Sequence, residues 1–136
     1  MSGKPFLDTN VLVYAIGEDS KRTPRAEALL ADGGVISVQV LNELAVVARR
    51  KLKMAWPQVV AALAAIRQLC PEPLPLTVGT HAAALRLASD HGFHFYDALI
   101  VAAALEAECD VVYSEDLQNG KVVDKRLRIE NPFAGS

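Results

Sequence analysis

Short apolar runs alternate with longer stretches of helical periodicity along this chain, and glycine and proline mark the joints between them. Strands separated by helices of about 10 to 15 residues make βαβ units, which implies an α/β fold with a mainly parallel central sheet and helices on both faces. The strand-like runs are Pro5-Phe6-Leu7-Asp8, Val35-Ile36-Ser37, Leu74 to Val78 and Cys109 to Tyr113. Helical patterns fall between them. Thr23-Pro24 supplies an N-cap and an N1 proline for a helix to about Ala31, closed by Gly33-Gly34. Val38, Leu41, Ala45, Ala48 and Leu52 recur on one face of a helix over about 38 to 53. Trp56-Pro57 opens another that runs to Leu69, after which Pro71, Pro73 and Pro75 exclude helix. Thr80 caps a helix to about His91, and Asp97 to Glu108 forms the next. No repeat, low-complexity tract or linker breaks the pattern, and 136 residues is a single-domain length, so one domain over 1–136 is expected.

Composition excludes several classes. An apolar fraction of 51% with 22% charged residues lies far from the disordered corner. Stretches free of Asp, Glu, Lys and Arg reach only 13 residues, as in Met54 to Ile66, short of the roughly 20 that span a bilayer. The N-terminus has no apolar h-region, so a cytoplasmic protein is expected. Cys70 and Cys109 have neither disulfide-framework nor zinc-thiolate spacing and are read as buried thiols. The net charge of −2 hides three basic clusters, around Lys21–Arg25, Arg49–Lys53 and Lys121–Arg128. A pI near 5.9 weakens the case for a nucleic-acid partner without removing it, because phosphates respond to local basic surface.

Ligands of parallel sheets sit beyond the carboxyl ends of the strands, and four acids gather there in this reading. Asp8 and Asp116 follow strands, Asp97 opens a helix, and Glu43 lies early in the helix after the second strand. Each aspartate alone has an ordinary explanation: a local turn at Asp8, an N-cap at Asp97, a polar turn at Asp116. Glu43, set in the apolar run Val40-Leu41-Asn42-Glu43-Leu44, is harder to explain that way, since a carboxylate in a crowded apolar surface is costly without partners. Two unit charges about 4 Å apart at an effective dielectric of about 20 repel by about 4 kcal/mol. Convergent carboxylates therefore call for protons or cations, and all-oxygen ligands favour Mg²⁺ or Mn²⁺. The matching chemistry is phosphodiester hydrolysis, with one or two ions activating water and stabilising the leaving oxygen.

Asp8-Thr9-Asn10 after an apolar strand, Leu41-Asn42-Glu43-Leu44 on a helix, Tyr96-Asp97-Ala98-Leu99-Ile100 opening another, and Ser114-Glu115-Asp116-Leu117 after a strand together resemble the PIN-domain nuclease family, and most closely its VapC-like toxins. The resemblance runs from Phe6 to Glu130-Asn131-Pro132-Phe133. It implies a Mg²⁺- or Mn²⁺-dependent endoribonuclease, the toxin of a toxin–antitoxin pair. It further implies a homodimer and a cognate antitoxin that occludes the site. The implied catalytic and metal-ligating quartet is Asp8, Glu43, Asp97 and Asp116, backed by Thr9, Asn10 and Ser114. Glu115 competes with Asp116 for the fourth place, and the family pattern of small hydroxyl, any residue, acid favours Asp116.

Arg49, Arg50 and Lys53 follow Glu43 on its helix and suit either an RNA backbone or the carbonyl end of the helix dipole. Tyr14, Tyr96 and Trp56 are expected to pack in the core or an interface rather than stack on bases. His81, His91 and His94 read as helix-end and loop residues, since their spacing does not place them with the acids. Two other functions compete. A non-catalytic RNA- or protein-binding module on the same fold would carry vestigial acids, although mutual repulsion gives such a site no reason to keep all four. A phospho-accepting receiver domain would want paired acids at the first strand, where this chain has Asp-Thr-Asn.

Overall fold

A computed structural model describes residues 3–134. Its sheet has four strands, β1 (Phe6–Leu7), β2 (Val111–Tyr113), β3 (Val122–Val123) and β4 (Leu127–Glu130), in the order β1-β2-β4-β3. β1, β2 and β4 run parallel, and β3 pairs antiparallel with β4. The α/β fold and its mainly parallel sheet are as the sequence predicts. Six helices complete it: α1 (Thr9–Ile16), α2 (Arg22–Ala31), α3 (Val38–Arg50), α4 (Trp56–Leu69), α5 (Val78–His91) and α6 (Phe95–Glu106).

α6 is the buried centre. Ala98 through Ala104 are all buried, so this stretch of the helix is apolar all round, and its alanines let α5 and β2 approach closely. α1 packs on α2 and α3, and α3 packs on α4. No helix among the described residues is long and apolar enough to cross a membrane.

Several expectations need correction. Val35-Ile36-Ser37 and Leu74 to Val78 are not strands; they shrink to single parallel bridges, Phe6 with Val35 and Ser37 with Leu74. Gly34 permits the first of these, since a Cβ there would lie 2.7 Å from the Leu7 side chain. The prolines leave Leu74 one residue of pairing before α5 begins. Thr77 caps that helix, not Thr80, which answers from the third helical position as the second half of a reciprocal capping box. α2 starts one residue before Thr23: Asp19 Oδ1 accepts from the Lys21 and Arg22 amides, and the Thr23 hydroxyl donates to the Tyr14 carbonyl. α1 is an addition, because its β-branched Thr9, Val11, Val13 and Ile16 are weak helix formers. Asp8 starts it by accepting the Thr9 amide, and burial of Val11 and Leu12 holds it.

Candidate functional site

The parallel register builds the centre of the site. Leu7 stands opposite Tyr113, so Asp8 and Ser114 leave neighbouring strands side by side. The buried Ser114 hydroxyl donates to Asp8 Oδ2 at 2.7 Å. The same oxygen of Ser114 accepts from the Asp116 and Leu117 amides at 3.1 and 3.2 Å, which fixes the turn after β2. Asn10, on the first turn of α1, ties the two ends together. Its Oδ1 accepts the Glu115 amide at 3.0 Å, so its Nδ2 faces Asp8 Oδ2, Ser114 Oγ and Asp116 Oδ2 at 3.2 to 3.3 Å.

Glu43 arrives from α3. Its Oε1 accepts from the Thr9 hydroxyl at 2.7 Å and its Oε2 from Gln39 Nε2 at 3.1 Å, one turn back on the same helix. Asp97 is the third residue of α6, and its side chain makes no hydrogen bond among the described residues. The N-cap position belongs to His94, so the ordinary capping explanation for Asp97 does not hold.

Charge coupling links the four acids. Burial, then the charges of Glu43 and Asp97, outweigh the Ser114 and Thr9 hydrogen bonds and push the Asp8 carboxyl up to about 7. Burial and then Glu43, with a smaller push from Asp116, raise Asp97 as well; a protonated His94 acts against them. His94 is therefore within electrostatic reach of the acids, which its spacing did not suggest. No ion pair among the described residues includes Asp8, Glu43, Asp97 or Asp116.

Glu115, the rival for the fourth place, is already neutralised. It accepts from the Tyr14 hydroxyl and from Arg22 Nε, each at 2.5 Å. Burial opposes its charge, but these two partners prevail and hold the carboxyl below its usual range. Tyr14 is correspondingly pushed up to about 12 by its hydrogen bond to that carboxylate.

A cleft of about 700 Å³ opens beside the acids, lined on one side by Glu43, Asp116, Thr9 and Asn10. Asp8 and Asp97 do not line it; they sit against its lining residues Thr9 and Asn10, and Tyr96, respectively. Gln39, Asn42, Val46, Val47 and Lys51 form the α3 wall at helical spacing. Gln39, Lys51 and this wall are what the sequence reading missed. The four-residue step from Gln39 to Glu43 was the available signal, a buried amide one turn before a crowded carboxylate. Arg49, Arg50 and Lys53 do not line the cleft, and Arg49 is engaged with the Met54 carbonyl at 3.0 Å and the Trp56 ring at 4.8 Å. Tyr96 and Trp56 are exposed, at 64% and 59%, and so are not core residues, whereas Tyr14 packs edge-on to Phe133.

The donor chemistry of the four acids, all oxygen and without a paired cation, fits a hard divalent ion. As they stand, Asp8, Glu43 and Asp116 rest on neutral donors and Asp97 on none, and among the described residues no three His, Cys, Asp or Glu side chains are close enough to form a coordination shell.

Comparison with known proteins agrees with this layout. No curated protein matches the chain in sequence. Among solved structures, the VapC20 toxin of Mycobacterium tuberculosis, described as cleaving the sarcin-ricin loop, superposes with a TM-score of 0.67 at 24% identity, over 82% of this chain and 88% of that one. VapBC2 from Rickettsia felis, solved bound to a DNA fragment from its promoter, gives 0.66 at 24% identity over 93% and 96%. Both show the fold. Residues 6–124, which hold all four acids and the loops that position them, match the PIN domain, and the chain belongs to that family.

Proposed function

We propose that this chain is a metal-dependent endoribonuclease that hydrolyses RNA phosphodiester bonds and serves as the toxin of a toxin–antitoxin pair. The observation that carries the reading is the set of four electrostatically coupled acids at the carboxyl edge of the sheet, none of them in an ion pair among the described residues. Family membership supports the nuclease assignment, and the likeness to VapC20 and VapBC2 supports the toxin and its antitoxin partner. A homodimer and a cytoplasmic location go with that reading.

In this reading Asp8, Glu43, Asp97 and Asp116 hold Mg²⁺ or Mn²⁺. Bound there, the ion would supply Lewis acidity toward a phosphoryl oxygen and would lower the pKa of water toward neutrality. The chain's own residues set the geometry. Thr9 and Gln39 fix the two oxygens of Glu43 separately, so the carboxylate cannot rotate freely. Ser114 and the Thr9 amide hold the two oxygens of Asp8, and Asn10 steers Asp116 toward them. Asp8, whose carboxyl burial pushes up to about 7, would hold a cation only as the carboxylate, so binding there would be coupled to loss of its proton. Glu115 stays out of the quartet because Arg22 already answers its charge, which leaves the fourth place to Asp116.

The test is a paired cleavage assay of the parent and Asp97→Asn on a mixed RNA pool, with Mg²⁺, Mn²⁺ or EDTA. Metal-dependent cutting by the parent alone is expected. Cutting that survives EDTA, or an active Asp97→Asn, overturns the metal assignment. A parent that binds RNA and never cuts it fits the binding-module reading instead.

A further inference from the structure

Charge is segregated along this chain. Leu44 to Pro71, 28 residues that take in the second half of α3, the turn after it and all of α4, hold five of the 14 basic residues and none of the 16 acidic ones. Four of the five, Arg49, Arg50, Lys51 and Lys53, crowd the end of α3 and the turn beyond it, and all four are exposed. The carbonyl end of a helix carries only about half a unit of negative charge, which four cations far exceed. Arg49 is spent on the turn itself: its Nη1 donates to the Met54 carbonyl at 3.0 Å and its guanidinium lies over the Trp56 ring at 4.8 Å. Arg50, Lys51 and Lys53 make no ion pair and no side-chain hydrogen bond among the described residues. Lys53 keeps its cation even at φ of +58°, a left-handed position that asparagine fills more readily.

We infer that this acid-free pole, outside the cleft, grips the phosphate backbone of RNA through Arg50, Lys51 and Lys53. The inference rests on the nuclease reading for the choice of RNA among polyanions. Its own content is a second foothold, a surface that supplies affinity and takes no part in the cut. Four coupled acids repel the phosphate they are to meet, and one divalent cation answers only part of that charge. A basic surface next along the same helix supplies the missing attraction. The spacing suits it. Arg50 is seven residues after Glu43 and Lys51 eight, which at about 1.5 Å each places them about 10 and 12 Å along α3. Lys51 reaches the cleft wall, whereas Arg50 and Lys53 do not line it, so the pole begins at the rim and leads away. Contacts to phosphates carry no base information, and the pole therefore gives affinity without sequence preference.

The experiment uses the full chain, kept from cutting by EDTA and titrated with labelled RNA of mixed sequence at several salt concentrations, followed by fluorescence anisotropy. Arg50→Gln with Lys53→Asn removes two phosphate contacts, and the slope of log affinity against log salt is expected to fall by about 1.4 to 1.8, at about 0.7 to 0.9 per contact. Affinity near 0.1 M salt should drop at least about tenfold, and equally for RNAs of different sequence. Lys21→Gln with Lys125→Gln removes the same charge from exposed positions elsewhere and should leave the slope as it is. A slope unchanged by the first pair, or lowered as far by the second, overturns the pole. Failure to bind RNA overturns it too, and leaves these cations to an acidic protein segment. Cleavage by the parent is read separately. The first pair should raise KM on a mixed RNA pool and leave kcat alone, and a fall in kcat at unchanged KM overturns the foothold. A parent that binds in this pattern but does not cut keeps the pole and loses the nuclease, and one that cuts while its affinity ignores Arg50 and Lys53 does the reverse.

Discussion

Asp8 and Asp124 each follow directly on a two-residue strand, β1 and β3, yet their carboxyl groups live in opposite surroundings. Asp124 faces Arg86, whose Nη2 donates to it at 2.7 Å, with His91 Nε2 at 3.5 Å, and these partners, Arg86 first, hold it below the usual carboxylate range. Asp8 is buried with only a hydroxyl and N–H groups for partners, and two further acids push on it. The first acid is at ease and belongs to the architecture of a hairpin. The second is under electrostatic load that the fold maintains. In the proposed reading a positive ligand relieves that load, and the contrast is what would separate structural acids from working ones within one small domain.

The sharpest way to break the contrast lies between neighbours. Asp116→Asn removes a carboxylate that has no cation, and the expected loss of cleavage is at least about 100-fold, beyond what partners behind a metal ligand cost. Glu115→Gln removes one that Arg22 has already neutralised, and the loss should stay within a few-fold. Metal-dependent cleavage rates of the two variants decide it. A reversed order would move the fourth ligand to Glu115 and dissolve the distinction between paired and unpaired acids.

The load on Asp8 should also appear as stability. Its folded-state pKa, near 7, lies above the unfolded value near 4, so between those limits the native state holds the proton more tightly. Stability therefore falls as pH rises through that window and levels off above it. The deficit is on the order of a few kcal/mol, lessened by whatever relaxation the site allows. Asn at position 8 cannot ionise. In EDTA, the melting temperature of Asp8→Asn relative to the parent should climb from pH 4 to pH 7 and then stay level. Mg²⁺ should raise the parent's melting temperature at pH 8 and leave the variant's unchanged. A difference that is flat across the window would mean that Asp8 carries no such load.

The acids were legible in the sequence because strand ends and helix starts punctuate it. Asp8 and Asp116 stand one and three residues beyond apolar runs, and Glu43 is conspicuous among apolar neighbours. What escaped was set by contacts distant in the chain. α1 forms from residues of poor helix propensity because Asp8 caps it and the core takes its Val11-Leu12 face. Val35 and Leu74 have strand composition but meet only one bridge each. The cleft wall is a property of how α3 faces α1 and the first turn of α6, so Gln39, Asn42 and Lys51 carry no local signature beyond helical spacing. Arg49 looked as suitable for RNA as Lys51 does, and the difference between them is a tryptophan seven residues on that claims its guanidinium.

The hairpin acid offers the mildest test, and one that isolates charge from backbone. Asp124 has φ of +51°, and Lys125 after it has +61°, so the turn between β3 and β4 is left-handed at both positions. Asn tolerates that conformation as well as Asp does, whereas Ala at this site would mix strain with the loss of charge. Asp124→Asn therefore keeps the turn and removes the partner of Arg86. Because the pair is substantially exposed and its attraction is screened, a small fall in melting temperature is expected at low salt, vanishing near 1 M, where the Debye length is about 3 Å. The contribution of a carboxyl held below its ordinary range is present at neutral pH and fades as pH falls through that range, opposite in sign to Asp8. Cleavage should be unchanged, since neither Asp124 nor Arg86 lines the cleft. A loss of activity on Asp124→Asn as large as on Asp116→Asn would show that the hairpin acid also works at the site, and that a paired cation does not mark an acid as structural.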